Sequence, residues 1–163
     1  MRHAWCGLIL LGLTGCYGFS GSSLPTHVKT LSLPVLENRT LEVAVNDELT
    51  QALIDRFVSD NTLRVVQGDA DAVLEGTITK YENRVSGYNS SQKADEYMVI
   101  VHADLVLRDR VKNREIWKED QARGAAAYFL GAAEDAVNTE EEARALAMKQ
   151  LVDVAIAKTV EGW

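Results

Sequence analysis

The stretch Glu96–Arg108 leaves few folds open to this chain. Tyr97, Val99, Val101, Ala103, Leu105 and Leu107 take every second position and make one continuous apolar face, opposite Met98, Ile100, His102, Asp104, Val106 and Arg108. Alternation sustained over that length is the signature of a strand buried on one side. Its second face is mixed, which predicts helices on one side of the sheet and a less apolar environment on the other.

The flanking segments supply partners. Ala72–Tyr81 reads as a strand, with Leu74, Gly76 and Ile78 on one face and Val73, Glu75, Thr77, Thr79 and Tyr81 on the other. Gly76 inside it points to a bulge or a close neighbour. Glu82–Lys93 is polar and reads as a hairpin loop with Tyr88 exposed, and Glu115–Gly124 as the returning strand. Ala125–Gly131 is apolar and short, fitting a strand extension, a lid or a contact surface. Upstream, His27–Val35 is a strand in which Leu31, Leu33 and Val35 share a face, with Pro34 marking an edge or an end. Leu63–Val66 is a further short strand before the turn Gln67-Gly68-Asp69.

Two segments are helical. Over Glu42–Ser59, Val45, Leu49, Leu53 and Phe57 recur every fourth residue, and Asp60-Asn61-Thr62 supplies the stop. The last helix starts near Thr139, where Thr139 and Glu142 fit a capping box, and its apolar stripe reads Ala143, Leu146, Ala147, Leu151, Val154 and Ala155. Strand, helix, several antiparallel strands and helix together predict an α+β two-layer sandwich, with two helices on one face of a mostly antiparallel sheet of about four strands.

The N-terminus follows another logic. Arg2 and His3 precede the apolar run Ala4–Leu13, then small residues and Cys16. The order basic, apolar, small, Cys is that of a bacterial lipoprotein signal, and a run of about ten apolar residues is too short to span a bilayer, which takes ~20. The expected division is a signal peptide over 1–15, an acylated Cys16 with a Gly- and Ser-rich tether over 16–26, and one domain over 27–163. Cys16 would carry S-diacylglycerol and N-acyl groups, enough chains to anchor without a transmembrane helix. Tyr17 after the Cys, where Asp retains a lipoprotein at the inner membrane of enteric bacteria, favours the outer membrane.

Composition removes several functions. Acidic side chains outnumber basic ones 24 to 17, giving a net charge of −7, so nucleic acid is not expected as a partner. Both cysteines, Cys6 and Cys16, lie in the signal region, leaving no thiol for a disulfide, a zinc site or catalysis. Beyond the signal only His27 and His102 remain. A hydrolase built on His102 and Asp104 would need a nucleophile beside them, and no motif supplies one. Neither HExxH, GxSxG nor a phosphate loop occurs. The expectation is a non-enzyme with no cofactor beyond its covalent lipid and no metal. One basic cluster stands out: Arg108, Arg110, Lys112 and Arg114 gather at a hairpin turn with Asp109 as the only acid among them. Such a cluster suits phosphate recognition, and equally a solvated turn.

The wording of several segments resembles a known family. Gly15-Cys16-Tyr17-Gly18-Phe19-Ser20-Gly21, Leu24-Pro25, His27–Val35, Glu37-Asn38-Arg39-Thr40, Leu49–Leu53 and Ala70–Ile78 are similar to the opening half of the LptE-type lipopolysaccharide-assembly lipoproteins, and a looser likeness continues to Trp163. One departure is Tyr17 preceding Gly18, where the family usually has Gly-Tyr-x-Phe. The resemblance implies an outer-membrane lipoprotein that sits in the lumen of a β-barrel lipopolysaccharide translocon (an LptD-like partner), helps the barrel assemble and receives lipopolysaccharide. Its domain would face the periplasm or the barrel lumen. With lipopolysaccharide as the ligand, the charge cluster Arg108, Arg110, Lys112 and Arg114 is the expected binding site, read from its cations and not from the resemblance. Another class remains open: an activator of a cell-wall synthase, or a component of another envelope secretion complex. A lipid or metabolite carrier would need a closed apolar cavity.

Overall fold

A computed structural model describes residues 24–131 and 136–160. The signal peptide, Cys16, most of the tether and the terminal Gly162-Trp163 lie outside the described residues.

In chain order the elements are β1 (Thr30–Ser32), β2 (Glu37–Asn38), α1 (Val45–Asp60), β3 (Arg64–Val65), β4 (Ala72–Tyr88), β5 (Ala94–Asp109), β6 (Arg114–Phe129) and α2 (Glu140–Val160). The sheet runs β3-β1-β4-β5-β6, with β2 also on β4. Three long strands form an antiparallel meander, and the three short ones join parallel, so the α+β sandwich has six strands where about four were expected.

Pro34 explains the extra edge. It cannot donate to a ladder, so the expected strand over His27–Val35 stops at Ser32 and resumes as β2, both pieces lying along β4. Leu31 is fully buried while Val35 is 61% exposed, so the two do not share a face. The carboxylate of Asp71 fastens the join, accepting from Lys29 N, Thr30 N and Thr30 Oγ1 at 2.9, 2.9 and 2.8 Å.

β4 departs from its sequence reading in two ways. Ile78 pairs with Ala103 but Lys80 with His102, leaving Thr79 as the extra residue of a bulge. Beyond it the faces exchange. Tyr81 therefore points towards the helices, opposite to expectation, and its hydroxyl donates to Glu140 at 2.7 Å. The strand also continues through the polar run to Tyr88, so the hairpin loop shrinks to 89–93, where Asn89 Oδ1 accepts from Ser91 N and Lys93 N. Ala125–Phe129 resolves as the extension of β6.

Gly76 has close neighbours. A Cβ there would meet Leu105 Cδ2 at 2.7 Å and the Asp104 carbonyl oxygen at 2.9 Å. A second bulge sits in β6, where Gln121 takes φ 59° and its N–H donates to Asp104 Oδ1 at 2.8 Å.

Both helices close over one face. Val45, Leu49, Leu53 and Phe57 of α1 are fully buried, and the helix stops where Asn61 turns left-handed (φ 58°) and returns its N–H to Phe57 O. The capping box of α2 is present: Glu142 N donates to Thr139 Oγ1 at 3.2 Å and Thr139 N to Glu142 Oε2 at 3.3 Å. Its buried face is Ala143, Ala147, Met148, Leu151, Val152, Ala155, Ile156 and Thr159, while Leu146 is 42% exposed and Val154 only half-buried. The helix backbone lies so close to Gly124 of β6 that a Cβ at that position would meet the Ala147 carbonyl. At this crossing the Gln150 side-chain amide bonds the backbone of Ala125, accepting its N–H at 3.1 Å and donating to its C=O at 2.8 Å. Phe129 N donates to Val137 O at 2.9 Å further along the same edge.

Candidate functional site

The basic turn lies at the end of the sheet where the described chain begins. β5 finishes at Asp109, whose side chain is fully buried. One carboxylate oxygen accepts the Lys112 N–H at 2.9 Å; the other meets His27 Nε2 at 2.9 Å and Arg114 Nε at 3.4 Å. Asn113 adopts φ 47° to close the turn, and Arg110 N donates to Asp71 O at 2.8 Å. Burial pushes Asp109 up, but the bonds from His27, Lys112 N and Arg114 outweigh it and hold the carboxyl at about 2.

With a folded value below the ordinary 3.8, Asp109 stabilises the fold above about pH 4, and that contribution disappears as pH falls through about 2. Denaturant midpoints measured between pH 4 and 2 should fall steeply for the native chain. They should fall less for Asp109→Asn, which has no such proton to take up.

The structure brings Arg108, Arg110, Lys112 and Arg114 together, but with more acid around them than the local sequence holds. Arg108 pairs with Glu75 at 3.4 Å, Arg110 with Asp69 at 3.5 Å and Arg114 with Asp109. Lys112 is exposed and makes no ion pair among the described residues. The Arg108 and Arg110 pairs are about half exposed or more, where such contacts are worth ~0–1 kcal/mol and exchange readily. Arg114 instead supports the buried carboxylate.

A second basic group was not visible in the sequence. Lys80, His102 and Arg123 stand directly across β4, β5 and β6 on the face away from the helices. Lys80 pairs with Glu82 at 2.6 Å, Arg123 makes no ion pair among the described residues, and His102 Nδ1 is buried without a hydrogen-bond partner. The next rungs on that face are apolar on β5 and β6: Ile100 beside Ala125, then Met98 beside Ala127. Strand register alone aligns these residues, and register requires the Thr79 and Gln121 bulges. Asp104 is engaged with the Gln121 bulge, not aimed at His102 as a catalytic partner.

Among the described residues, no group of three or more His, Cys, Asp or Glu side chains is placed to hold a metal ion. No described helix is long and apolar enough to cross a membrane. An apolar recess of ≈ 690 Å³ lies between α1 and the short strands, lined by Leu33, Val35, Ile54, Val58, Val65 and Val66.

The family model for lipopolysaccharide assembly, LptE, matches residues 28–158, most of the chain. The chain belongs to the LptE family. The match takes in every described strand and nearly all of α2, so the wording first noticed in the opening half extends over the whole sandwich. Solved structures share the fold of this LptE-family chain at low identity. The protein CT253 from Chlamydia trachomatis is 13% identical over 83% of this chain and 97% of its own, with TM-score 0.57. XCC0632 from Xanthomonas campestris is 12% identical over 83% and 88%, with TM-score 0.57. The PelC dodecamer subunit from Paraburkholderia phytofirmans is 12% identical over 87% and 95%, with TM-score 0.56. A search of curated proteins by sequence finds no match.

Proposed function

We propose that this chain is a non-catalytic outer-membrane lipoprotein, anchored through acylated Cys16, that plugs a β-barrel lipopolysaccharide translocon, helps it assemble and aids lipopolysaccharide insertion into the outer leaflet. Family membership over residues 28–158 is the observation that carries the reading. The lipoprotein-type N-terminus agrees with it, as does a small rigid sandwich whose side chains are occupied in holding its own turns. Co-purification from native membranes tests it. A large barrel protein should be recovered with the acylated chain, and recovery of peptidoglycan synthases instead would refute it.

For the lipopolysaccharide, cations that can leave a weak partner are the useful ones. Arg108 and Arg110 meet that condition, while Lys112, and Arg123 on the open sheet face, make no ion pair among the described residues and have none to leave. Arg114 is the least free of the turn's four. Replacing Arg110 and Lys112 together by Ser should weaken lipopolysaccharide binding severalfold at matched salt without lowering the melting temperature. Unchanged binding would remove the turn from the site.

A further inference from the structure

Charge is sorted along the sandwich. At one end the β5–β6 turn sets out Arg110 and Lys112 with Val111, 63% exposed, between them, and Arg108 and Arg114 flank it. Ala72 pairs with Asp109 at the base of this turn, Leu31 with Ala72 and Thr30 with Arg64, so the exposed Lys29 and Arg64 lie at the same end of the sheet. Lys29, Arg64 and Lys112 make no ion pair among the described residues. The acids of this end are largely engaged. Asp71 holds Lys29 N and Thr30, Asp109 holds His27 and Lys112 N, and Asp69 and Glu75 pair with Arg110 and Arg108, while Glu115 is exposed beside Arg114. The first turns of both helices are acidic, with Asp47 and Glu48 in α1 and Glu140, Glu141 and Glu142 in α2. They lie away from the basic turn. Glu140 accepts from Tyr81, nine residues along β4 from Ala72, or ~30 Å at ~3.3 Å per residue, and Arg144 of the next turn joins Glu48 to α2.

We infer that this basic end docks on the anionic phospholipid headgroups of the leaflet that holds Cys16, the turn's cations on the phosphates and Val111 in the headgroup layer, so that the domain stands on the membrane in one orientation. The inference rests on the acylated Cys16 of the reading under Proposed function. Cys16 precedes His27 by eleven residues, at most ~36 Å at ~3.3 Å per residue, and His27 meets Asp109 at the base of the turn at 2.9 Å. Reach alone admits several surfaces of the domain, and charge decides among them. A chain of net charge −7 is repelled by an anionic layer unless its acidic end is turned away, and only cations brought within about a Debye length, ~8 Å at physiological salt, are drawn in. A protein pocket fits this end less well. Interface cores are depleted of Lys and require matching shape, whereas a headgroup layer accepts a projecting turn with an aliphatic residue between two cations. The turn is also set in advance, with Lys112 N–H on the Asp109 carboxylate and Asn113 at φ 47°, so contact costs it little further ordering.

The test puts a fluorophore on Val111→Cys in the acylated chain, where the reading under Proposed function leaves no other free thiol. Tyr88→Cys, at a site 69% exposed at the far end of β4, is the reference. Both sites are exposed, so both variants should melt within a few degrees of the native chain. Each is inserted into phosphatidylethanolamine vesicles containing either phosphatidylglycerol or phosphatidylcholine, with a nitroxide quencher on a fraction of the headgroups. Val111→Cys should be quenched at least about threefold more in the phosphatidylglycerol vesicles than in the neutral ones, and more than Tyr88→Cys in either. At ~1 M salt, where the Debye length falls to ~3 Å, the excess should vanish while the chain still floats with the vesicles. Equal quenching in the two vesicles, or stronger quenching at Tyr88→Cys, would overturn the inference and leave the lipid anchor standing. Excess quenching that requires lipopolysaccharide in the vesicles would overturn it in favour of lipopolysaccharide as the turn's ligand. A chain that floats with neither vesicle would bring down the lipid anchor and this inference with it.

Discussion

Replacing Cys16 by Ser should move the protein from the membrane pellet to the soluble fraction. One acyl chain gives reversible binding, two or more give stable anchoring, and each buried methylene contributes ~0.8 kcal/mol. The triacylation proposed for Cys16 would therefore be enough to hold the domain, and no described helix is long and apolar enough to cross a membrane in its place. Membrane flotation reads the outcome, and mass spectrometry of the native N-terminus checks the premise. A Cys16→Ser chain that still floats with membranes would mean that protein contacts, not lipid, hold it there.

Replacing Gly124 by Val should cost about 3 kcal/mol, in the upper range for overpacking a well-filled core. A Cβ at this position would lie 2.7 Å from the carbonyl carbon of Ala147 and closer still to its oxygen. Both are backbone atoms, so no side-chain rotation relieves the clash, and α2 must lift from β6. Lifting opens the seam at Ala143, Ala147 and Leu151 and parts Gln150 from Ala125. At roughly 2–4 °C per kcal/mol for a domain of this size, the melting temperature should fall by about 10 °C. Adding Ala147→Gly should not rescue it, because the obstruction is the helix carbonyl. Rescue by that change would show that the helix was held off by side chains.

The elements with strong periodicity were legible. Val45, Leu49, Leu53 and Phe57 all reach the core, the Thr139–Glu142 box opens α2, and β5 buries its alternating face. What local pattern could not reveal depends on distant partners. Polar residues 82–88 stay in a strand because β5 supplies the ladder, not because they suit one. Tyr81 changes face through one inserted residue, Thr79, and alternation cannot register an insertion in advance. Of the expected stripe Ala147 is buried, its backbone set against Gly124, while Leu146 is 42% exposed. At the basic turn the four cations are adjacent in sequence, but Glu75, Asp69 and His27, which decide how free they are, come from elsewhere in the chain.

The bond from Gln150 to Ala125 matters most before any partner arrives. β6 is the last strand of the sheet, and an outer row of free amide and carbonyl groups is a template on which another copy can stack. Here a side-chain amide imitates the missing neighbour midway, and Val137 occupies the position at Phe129. At these two places the margin's backbone groups are already taken, so a second copy would find an interrupted row to stack on.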